Sequence, residues 1–204
     1  MKNLNAFETD ALTELFNIGL HRAAASLSEL TGQRVLVDLP RLWVCTLEDL
    51  QPRLLELVEG DLATVHQVFR GEVSGDAVLL LEYEKAALLA QLMTGGDVAL
   101  GGILDQSARE VLAEVGNIVL GACLSAFGNV LQVAVSFSVP RLHVESLQGL
   151  LRSLLIDEQT DVHYALLAAT RFRLSRLEVG GYLVVVLGVN SLTRASRALT
   201  DRVQ

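Results

Sequence analysis

The sequence is poor in cysteine and proline, and each shortage excludes a class of protein. Its two cysteines, Cys45 and Cys123, form no CxxC pair and no Cys/His spacing, so neither a disulfide framework nor a zinc site is expected. We expect both to be buried, small apolar side chains in a protein of the reducing cytoplasm. With three prolines and no Ser- or Gly-rich run, no segment is typical of a flexible spacer. The chain is therefore predicted to form one domain over residues 1–204.

Positive charge is also scarce. Sixteen Lys and Arg residues against 24 Asp and Glu give a formal net charge of -8. Because a surface that follows nucleic-acid phosphates depends on Lys and Arg, we expect no nucleic-acid partner. Apolar residues make up 51% of the 204 residues, which is enough for a substantial core and excludes a disordered chain.

Long hydrophobic runs are a further shortage. No apolar run approaches the roughly 20 residues that span a bilayer, and the N-terminal segment has no hydrophobic signal core. We therefore expect no membrane insertion and a cytoplasmic location. The longest apolar run, residues 180–189, is predicted to be a strand that is covered on both faces.

An internal repeat organises what is present. Residues from Glu14 onward recur 100 positions later without a gap. The repeated residues are Glu14, Asn17, Ile18 and Pro40-Arg41-Leu42, which return as Glu114, Asn117, Ile118 and Pro140-Arg141-Leu142. Farther along, Val65-His66 aligns more weakly with Val162-His163. We interpret the chain as two homologous halves, about 1–100 and 101–204.

Each half predicts the same series of elements. A long amphipathic helix, 7–30 in the first half, precedes a β-rich segment that is broken by Pro-Arg-Leu, then a short helix, further strands and another short helix. The apolar stripes of the two long helices are Leu12, Phe16, Gly19, Ala23, Leu27 and Leu30, and Leu112, Gly116, Val119, Cys123, Phe127 and Val130. The strands are predicted at 34–44, 65–73, 77–83, 132–144, 162–173 and 182–189, and the short helices at 47–58, 84–93, 147–156 and 192–199.

These patterns predict an α+β fold with pseudo-twofold symmetry. Its sheet is expected to be largely antiparallel, and its two long helices carry the repeated polar residues. Small residues in both helical stripes predict a close approach to whatever packs against them. A proline at the break in each β-rich segment predicts a sheet edge or a bend.

A Glu and an Asn three residues apart lie side by side on the polar face of each long helix. With 14 Glu and 6 Asn in the chain, chance would give about 0.4 such pairs. The chain has two, Glu14 with Asn17 and Glu114 with Asn117, at equivalent points of the repeat. This repetition favours a functional role over an ordinary solvated helix face.

The two ExxN helices, each followed by a strand that ends at a proline, resemble the CheC-type phosphatases of chemotaxis. That family also includes CheX and the flagellar-switch phosphatases of the FliY type. The resemblance covers essentially the whole chain and looks closest to CheC. The family pattern has Asp or Ser four residues before the Glu, which Asp10 satisfies and Glu110 does not. His21-Arg22 departs from it too, as does Phe16, whose repeat position holds Gly116.

The resemblance implies hydrolysis of the aspartyl phosphate of a CheY-like response regulator. In that mechanism Asn17 and Asn117 orient the attacking water. Glu14 and Glu114 anchor the helices by pairing with a lysine of the partner. No cofactor of the chain's own is implied, because the Mg²⁺ belongs to the phosphorylated partner.

Other interpretations stay open at this stage. The fold can serve instead as an adaptor that binds a CheD-like receptor deamidase or a receiver domain. A flagellar-motor component is a third hypothesis, although 204 residues leave no room for an additional switch-binding domain. His21 with Asp10, Glu14 and Asn17 would offer metal-binding atoms, but its repeat position holds Gly121 and one helix face rarely completes a coordination shell.

Overall fold

The computed structural model describes residues 6–94, 103–156, 163–174, 177–188 and 190–193. The helices are α1 (Ala6–Thr31), α2 (Leu47–Leu57), α3 (Tyr83–Met93), α4 (Gln106–Leu131) and α5 (Leu147–Ile156). The strands are β1 (Val35–Val37), β2 (Arg41–Thr46), β3 (Asp61–Gly71), β4 (Gly75–Glu82), β5 (Val135–Phe137), β6 (Arg141–Ser146), β7 (His163–Leu174) and β8 (Leu177–Gly188). Of the predicted helix 192–199, residues 192 and 193 are helical and the remainder lies outside the described residues.

One antiparallel sheet takes strands from both halves of the chain. Its order is β1-β7-β8-β4-β3-β5, with β2 also paired to β7 and β6 also paired to β3. The long hairpins β3–β4 and β7–β8 meet at the β4–β8 pair in the middle, and the short strands lie at the two edges. The predicted α+β class with a largely antiparallel sheet is confirmed.

Each face of the sheet carries its own apolar layer. Alternate residues of β4 face opposite ways: Leu79 and Leu81 pack with α1 and α4, whereas Leu80 packs with α2 and α5. The apolar stretch of β8 does the same, with Leu183 on the first side and Val184 on the second. The prediction of a strand covered on both faces is confirmed for residues 180–188, and residue 189 lies outside the described residues.

The two long helices pack against each other at a glycine. A Cβ atom added to Gly19 of α1 would lie 2.6 Å from the Cα of Cys123 of α4. The expected close approach of small residues is therefore confirmed. Cys123 is buried, and this burial raises the pKa of its thiol to about 12. Cys45 was expected to be buried as well, but it lies on β2 at the sheet edge and is only half-buried.

The predicted stripe of α1 is wrong at its end. Leu30 is 56% exposed, because it belongs to the last turn of the helix, beyond the last buried residue, Leu27. The corresponding stripe of α4 is buried as far as Phe127, and Val130 packs against the core from a half-buried position.

Both repeated prolines lie outside the strands. Pro40 follows β1 and precedes β2, and Pro140 stands between β5 and β6, so each β-rich segment is two short edge strands. The predicted edge position is confirmed. Behind each pair, Thr46 and Ser146 accept hydrogen bonds from backbone N–H groups three residues later and so cap α2 and α5.

The predicted alignment of the later strands is wrong. Strand β3 begins at Asp61 rather than at residue 65, directly after the turn at Gly60. In the sheet, Arg141 pairs with His66 and Arg41 pairs with Ala169, so the residue of β7 equivalent to His66 is Ala169 rather than His163. We call two residues that occupy such equivalent positions of the two halves twins.

Helix α4 is apolar over a longer stretch than was expected of any segment of the chain. By length and composition, residues 106–130 are apolar enough to cross a membrane, and 56% of the most apolar 18-residue window is buried inside the fold. The helix packs on α1 and on the sheet, as a core helix does.

Candidate active site

The two repeated Glu/Asn pairs lie at the boundary between the buried face and the exposed face of each long helix. Glu14 and Glu114 are exposed, whereas Asn17 and Asn117, one helical turn farther on, are half-buried. The predicted polar face of α1 is completed by Asp10 and His21, both exposed. Each helix therefore presents an exposed carboxylate next to a half-buried carboxamide.

In the first half, the pair is bonded within itself. The Nδ2 of Asn17 donates a hydrogen bond of 3.4 Å to Oε2 of Glu14. The other end of the amide, Oδ1, is buried and has no hydrogen-bond partner among the described residues. A buried acceptor without a donor raises the free energy of the folded state. A donor supplied by a binding partner, or reached by rotation of the side chain, would therefore stabilise this carboxamide.

In the second half, the asparagine is bonded to the sheet. Gln67 of β3 donates from Nε2 to Oδ1 of Asn117 over 3.3 Å, and the same amino group donates to the backbone carbonyl of Ser138 over 2.9 Å. The Gln67 side chain is only 2% exposed. It lies between Val65 and Phe69, the neighbouring residues on the face of β3 that α4 covers.

A glycine allows α4 to come this close to β3. A Cβ atom on Gly116 would overlap the side chain of Val65, so the helix backbone rests directly on that residue. In α1 the equivalent position holds Phe16, a buried ring in edge-to-face contact with Phe127 at 6.5 Å between centroids. The twin of Val65 is Ala168. The larger side chain of each contact therefore belongs to the strand where α4 packs on β3, and to the helix at the twin position in α1.

The twin of Gln67 is Thr170. Its Oγ1 donates to the backbone carbonyl of Asp38 over 2.8 Å, and Asp38 occupies in the first half the position of Ser138. Both strands thus use a buried polar side chain to hold the residue two positions before the repeated proline. Gln67 has a second amino hydrogen that reaches the asparagine of the helix, whereas the single hydroxyl hydrogen of Thr170 is already used.

The structure places the four predicted ExxN residues on α1 and α4, and their catalytic role stays a prediction. Sequence reasoning did not single out Gln67 or Thr170. A signal exists: each is a polar residue between two apolar residues on the core-facing side of a strand, Val65 and Phe69 in one case and Ala168 and Phe172 in the other. That signal depends on knowing which way the strand faces, and the predicted alignment of β3 with β7 was wrong.

The site offers polar positioning groups and negative charge. Glu14 and Asp10 on α1, and Glu114 and Glu110 on α4, are exposed carboxylates that favour a cationic group of a partner. Among the residues that the structure describes, no three His, Cys, Asp or Glu side chains are grouped so that they could hold a metal ion. Two carboxamides next to carboxylates can orient water or donate to phosphoryl oxygens.

The chain is similar in sequence to two curated proteins. It is 28% identical over 131 residues, 64% of this chain, to a protein of Halobacterium salinarum assigned as the CheY-P phosphatase CheC1. It is 27% identical over 146 residues, 70% of this chain, to the flagellar motor switch phosphatase FliY of Bacillus subtilis. The matches span 66% of the length of CheC1 and 37% of that of FliY. No protein-family model matches the chain.

Solved structures with the same fold include FliY, FliM and CheX proteins. Thermotoga maritima FliY superposes with a TM-score of 0.79 at 18% identity and covers 98% of both chains. FliM of Helicobacter pylori, solved in complex with SpeE, gives 0.68 at 11% identity over 98% of both chains. CheX of Borrelia burgdorferi, solved with CheY, BeF3 and Mg²⁺, gives 0.52 at 14% identity over 85% of this chain and 96% of that one. At these identities the likeness establishes the fold.

Proposed function

We propose that this chain, a member of the CheC, CheX and FliY family, is a phosphatase that hydrolyses the aspartyl phosphate of a CheY-like response regulator. The observation that carries the proposal is the repeated arrangement on α1 and α4, in which an exposed glutamate stands one turn before a half-buried asparagine. Two relatives with CheY-P or motor-switch phosphatase names support the reaction, and the CheX structure with CheY supports the kind of partner.

The chemistry suits a carboxamide better than a nucleophile. Phosphoryl transfer to water passes through a loose transition state, so catalysis depends on positioning and on electrostatic stabilisation. A carboxamide can hold one water in line with the phosphorus without being consumed. In this proposal Asn17 and Asn117 do so in trans, and the Mg²⁺ that neutralises the phosphoryl oxygens is held by the partner.

The glutamates are assigned to binding. Glu14 and Glu114 are exposed and lie one turn from the asparagines, so a lysine of the partner can pair with either carboxylate while the asparagine enters the partner's site. The net charge of -8 favours approach to a cationic group but repels a phosphate, a repulsion that the partner's Mg²⁺ offsets. A cytoplasmic location is part of the same proposal.

The direct test replaces both asparagines. A CheY-type receiver is phosphorylated by a small acyl phosphate with Mg²⁺, and release of inorganic phosphate is followed with the wild-type chain and with Asn17→Ala/Asn117→Ala. We expect the wild type to accelerate release and the double variant to lose at least about a hundredfold in rate, because the water is no longer positioned.

The control is Asn129→Ala, which removes an exposed asparagine of the same helix α4 far from the motif. It should keep the wild-type rate. The double variant should still bind the receiver, as measured by calorimetry, because the glutamates remain. Release that the wild-type chain does not accelerate, or that the double variant accelerates equally, contradicts the proposal.

A binding role without turnover is the second candidate. The same fold occurs in FliM, which was solved in complex with SpeE and is not named as a phosphatase. The fold alone therefore does not show that a protein is an enzyme. In this alternative the chain sequesters a CheD-like deamidase or a receiver. Capture of a CheD-like protein together with unchanged phosphate release would favour the adaptor.

A further inference from the structure

We infer that Gln67 is a positioning residue for Asn117 and that it makes the second of the two sites the preorganised one. This inference rests on the proposed function, since positioning matters only if Asn117 acts on a partner. It starts from the contact between a buried glutamine of β3 and the asparagine of α4, at 3.3 Å.

The hydrogen-bond chemistry fixes the direction of both amides. A backbone carbonyl can only accept, so the group of Gln67 that lies 2.9 Å from the oxygen of Ser138 is the amino group. The second hydrogen of that amino group points to Asn117, and the atom that receives it has to be Oδ1. The Nδ2 of Asn117 is therefore not the atom that Gln67 bonds, and we infer that it is the donor offered to a bound partner.

Holding the backbone of Ser138 does not by itself require a glutamine, since a threonine, Thr170, holds Asp38 at the twin position. Gln67 lies between Val65 and Phe69 on an otherwise apolar face, and its Oε1 is buried without a hydrogen-bond partner within the described part of the chain. A buried acceptor without a donor destabilises the fold relative to an apolar side chain of the same size. What the glutamine provides is the amino group that joins Asn117 to the backbone of Ser138.

The first half provides the comparison inside the same molecule. Thr170 holds the backbone of Asp38 as Gln67 holds that of Ser138, but it offers no second hydrogen to the helix. Asn17 is left with a buried Oδ1 that no described residue bonds and with a 3.4 Å contact to Glu14. Within the described part of the chain, the sheet therefore holds Asn117 and does not hold Asn17.

A held side chain loses less rotamer freedom when a partner binds, and its reacting geometry is formed more often. The site of Asn117 is therefore expected to turn over faster than that of Asn17. One hydrogen bond of ordinary strength corresponds to a change of about three- to tenfold in rate.

The experiment places Gln67→Thr, which copies the twin position, in the Asn17→Ala background, where only Asn117 acts. We expect kcat for phosphate release to fall about three- to tenfold while KM for the receiver changes less than about twofold. The matched control is Thr64→Val on the opposite face of β3, where Thr64 bonds Glu145 instead of a motif residue. This control should leave kcat unchanged.

A measurement without turnover decides the inference independently. Nitrogen-15 relaxation of the side-chain amides should show Asn117 more ordered than Asn17 in the wild type, and Gln67→Thr should lower the order of Asn117 to the level of Asn17. Gln67→Met, which keeps the volume, should do the same if the threonine variant does not fold. Equal mobility of both amides in the wild type, or an Asn117 amide that no substitution at Gln67 changes, overturns the inference.

The two failures are distinguishable. If phosphate release does not depend on the asparagines, the proposed function fails, and the relaxation data still decide whether Gln67 orders Asn117. If release depends on Asn117 but is the same with Gln67→Thr in the Asn17→Ala background, the phosphatase stands and the positioning role is wrong.

Discussion

At the scale of single residues, the glutamates and the asparagines of the motif differ in solvent exposure. The glutamates carry their charge in water, where a partner's lysine can reach them, and the asparagines are half-buried, so that their amides are partly oriented by the protein. An exposed carboxylate suits binding, and a partly fixed amide suits the positioning of a water molecule.

The glutamates can be tested separately from the asparagines. Glu14→Gln/Glu114→Gln keeps the size of both side chains and removes their charge. We expect KM for the phosphorylated receiver to rise about tenfold to a hundredfold, the effect of losing one charge-assisted hydrogen bond at an interface, with a smaller change in kcat. Steady-state phosphate release at increasing receiver concentration gives both constants.

Salt provides the internal check on that result. The wild-type KM should rise with ionic strength, whereas the KM of the double glutamine variant should depend on salt more weakly. A double variant whose main defect is in kcat would instead assign the glutamates to the chemical step.

The repeat revealed the motif residues, but not how they are held. Glu14, Asn17, Glu114 and Asn117 could be predicted because they recur at one fixed offset and belong to helices, whose faces follow from spacing alone. Gln67 could not, since its importance depends on the register between β3 and β6 and on the rotamer that reaches Asn117. Register is a property of paired strands rather than of one strand.

At the scale of elements, the contact between α1 and α4 sets the positions of both sites. Gly19 faces the backbone of Cys123 with no room for a methyl group, whereas Gly121, two residues before Cys123, has no neighbour within 4 Å of its added Cβ among the described residues. Two glycines of the helix pair thus have opposite structural roles: one permits contact, and the other lies in open space.

These glycines give a matched pair of variants. Gly19→Ala should lower the free energy of unfolding by about 1–3 kcal/mol, because the helices have to separate. Gly121→Ala should raise it by about 0.5–1 kcal/mol, because alanine favours a helix interior and meets nothing. Urea unfolding followed by circular dichroism measures both, and a Gly19→Ala variant as stable as the wild type would contradict the close packing of the helices.

The order of elements could be predicted well, and their ends less well. Helices α2 and α5 begin where expected, and Thr46 and Ser146 cap them from the position directly before. The start of β3 was missed because Asp61 carries no strand signal of its own and is extended by pairing with Ser146 of β6. Long-range pairing overrode the local sequence there.

At the scale of the whole molecule, two similar halves form one sheet but two unequal sites. Within the described residues, each half has a long helix, four strands, a short helix, the repeated proline and the Glu/Asn pair. The halves differ at two places. Gly116 and Val65 correspond to Phe16 and Ala168, so the larger side chain is on the strand in one half and on the helix in the other, and Gln67 corresponds to Thr170. Under the proposed function, the duplicated fold would keep one chemistry at two places. Among the described residues, the sheet bonds Asn117 and does not bond Asn17.

The family resemblance that the motifs predicted is confirmed, whereas the preference for CheC within the family stays a prediction. One curated relative is a CheC and the other a FliY, and the matched structures add CheX and FliM. The sequence could not separate these branches, because the repeated helices and the duplicated sheet are features of the shared fold.

The most direct test of the central claim compares single variants with the double variant in one assay. Phosphate release from a phosphorylated CheY-type receiver is measured with wild type, Asn17→Ala, Asn117→Ala and the double variant at equal concentrations. We expect the rates to fall in that order, with the double variant at the receiver's own rate of decay, because each amide positions water and Asn117 is the better held. A double variant that releases phosphate as fast as the wild type would contradict the claim.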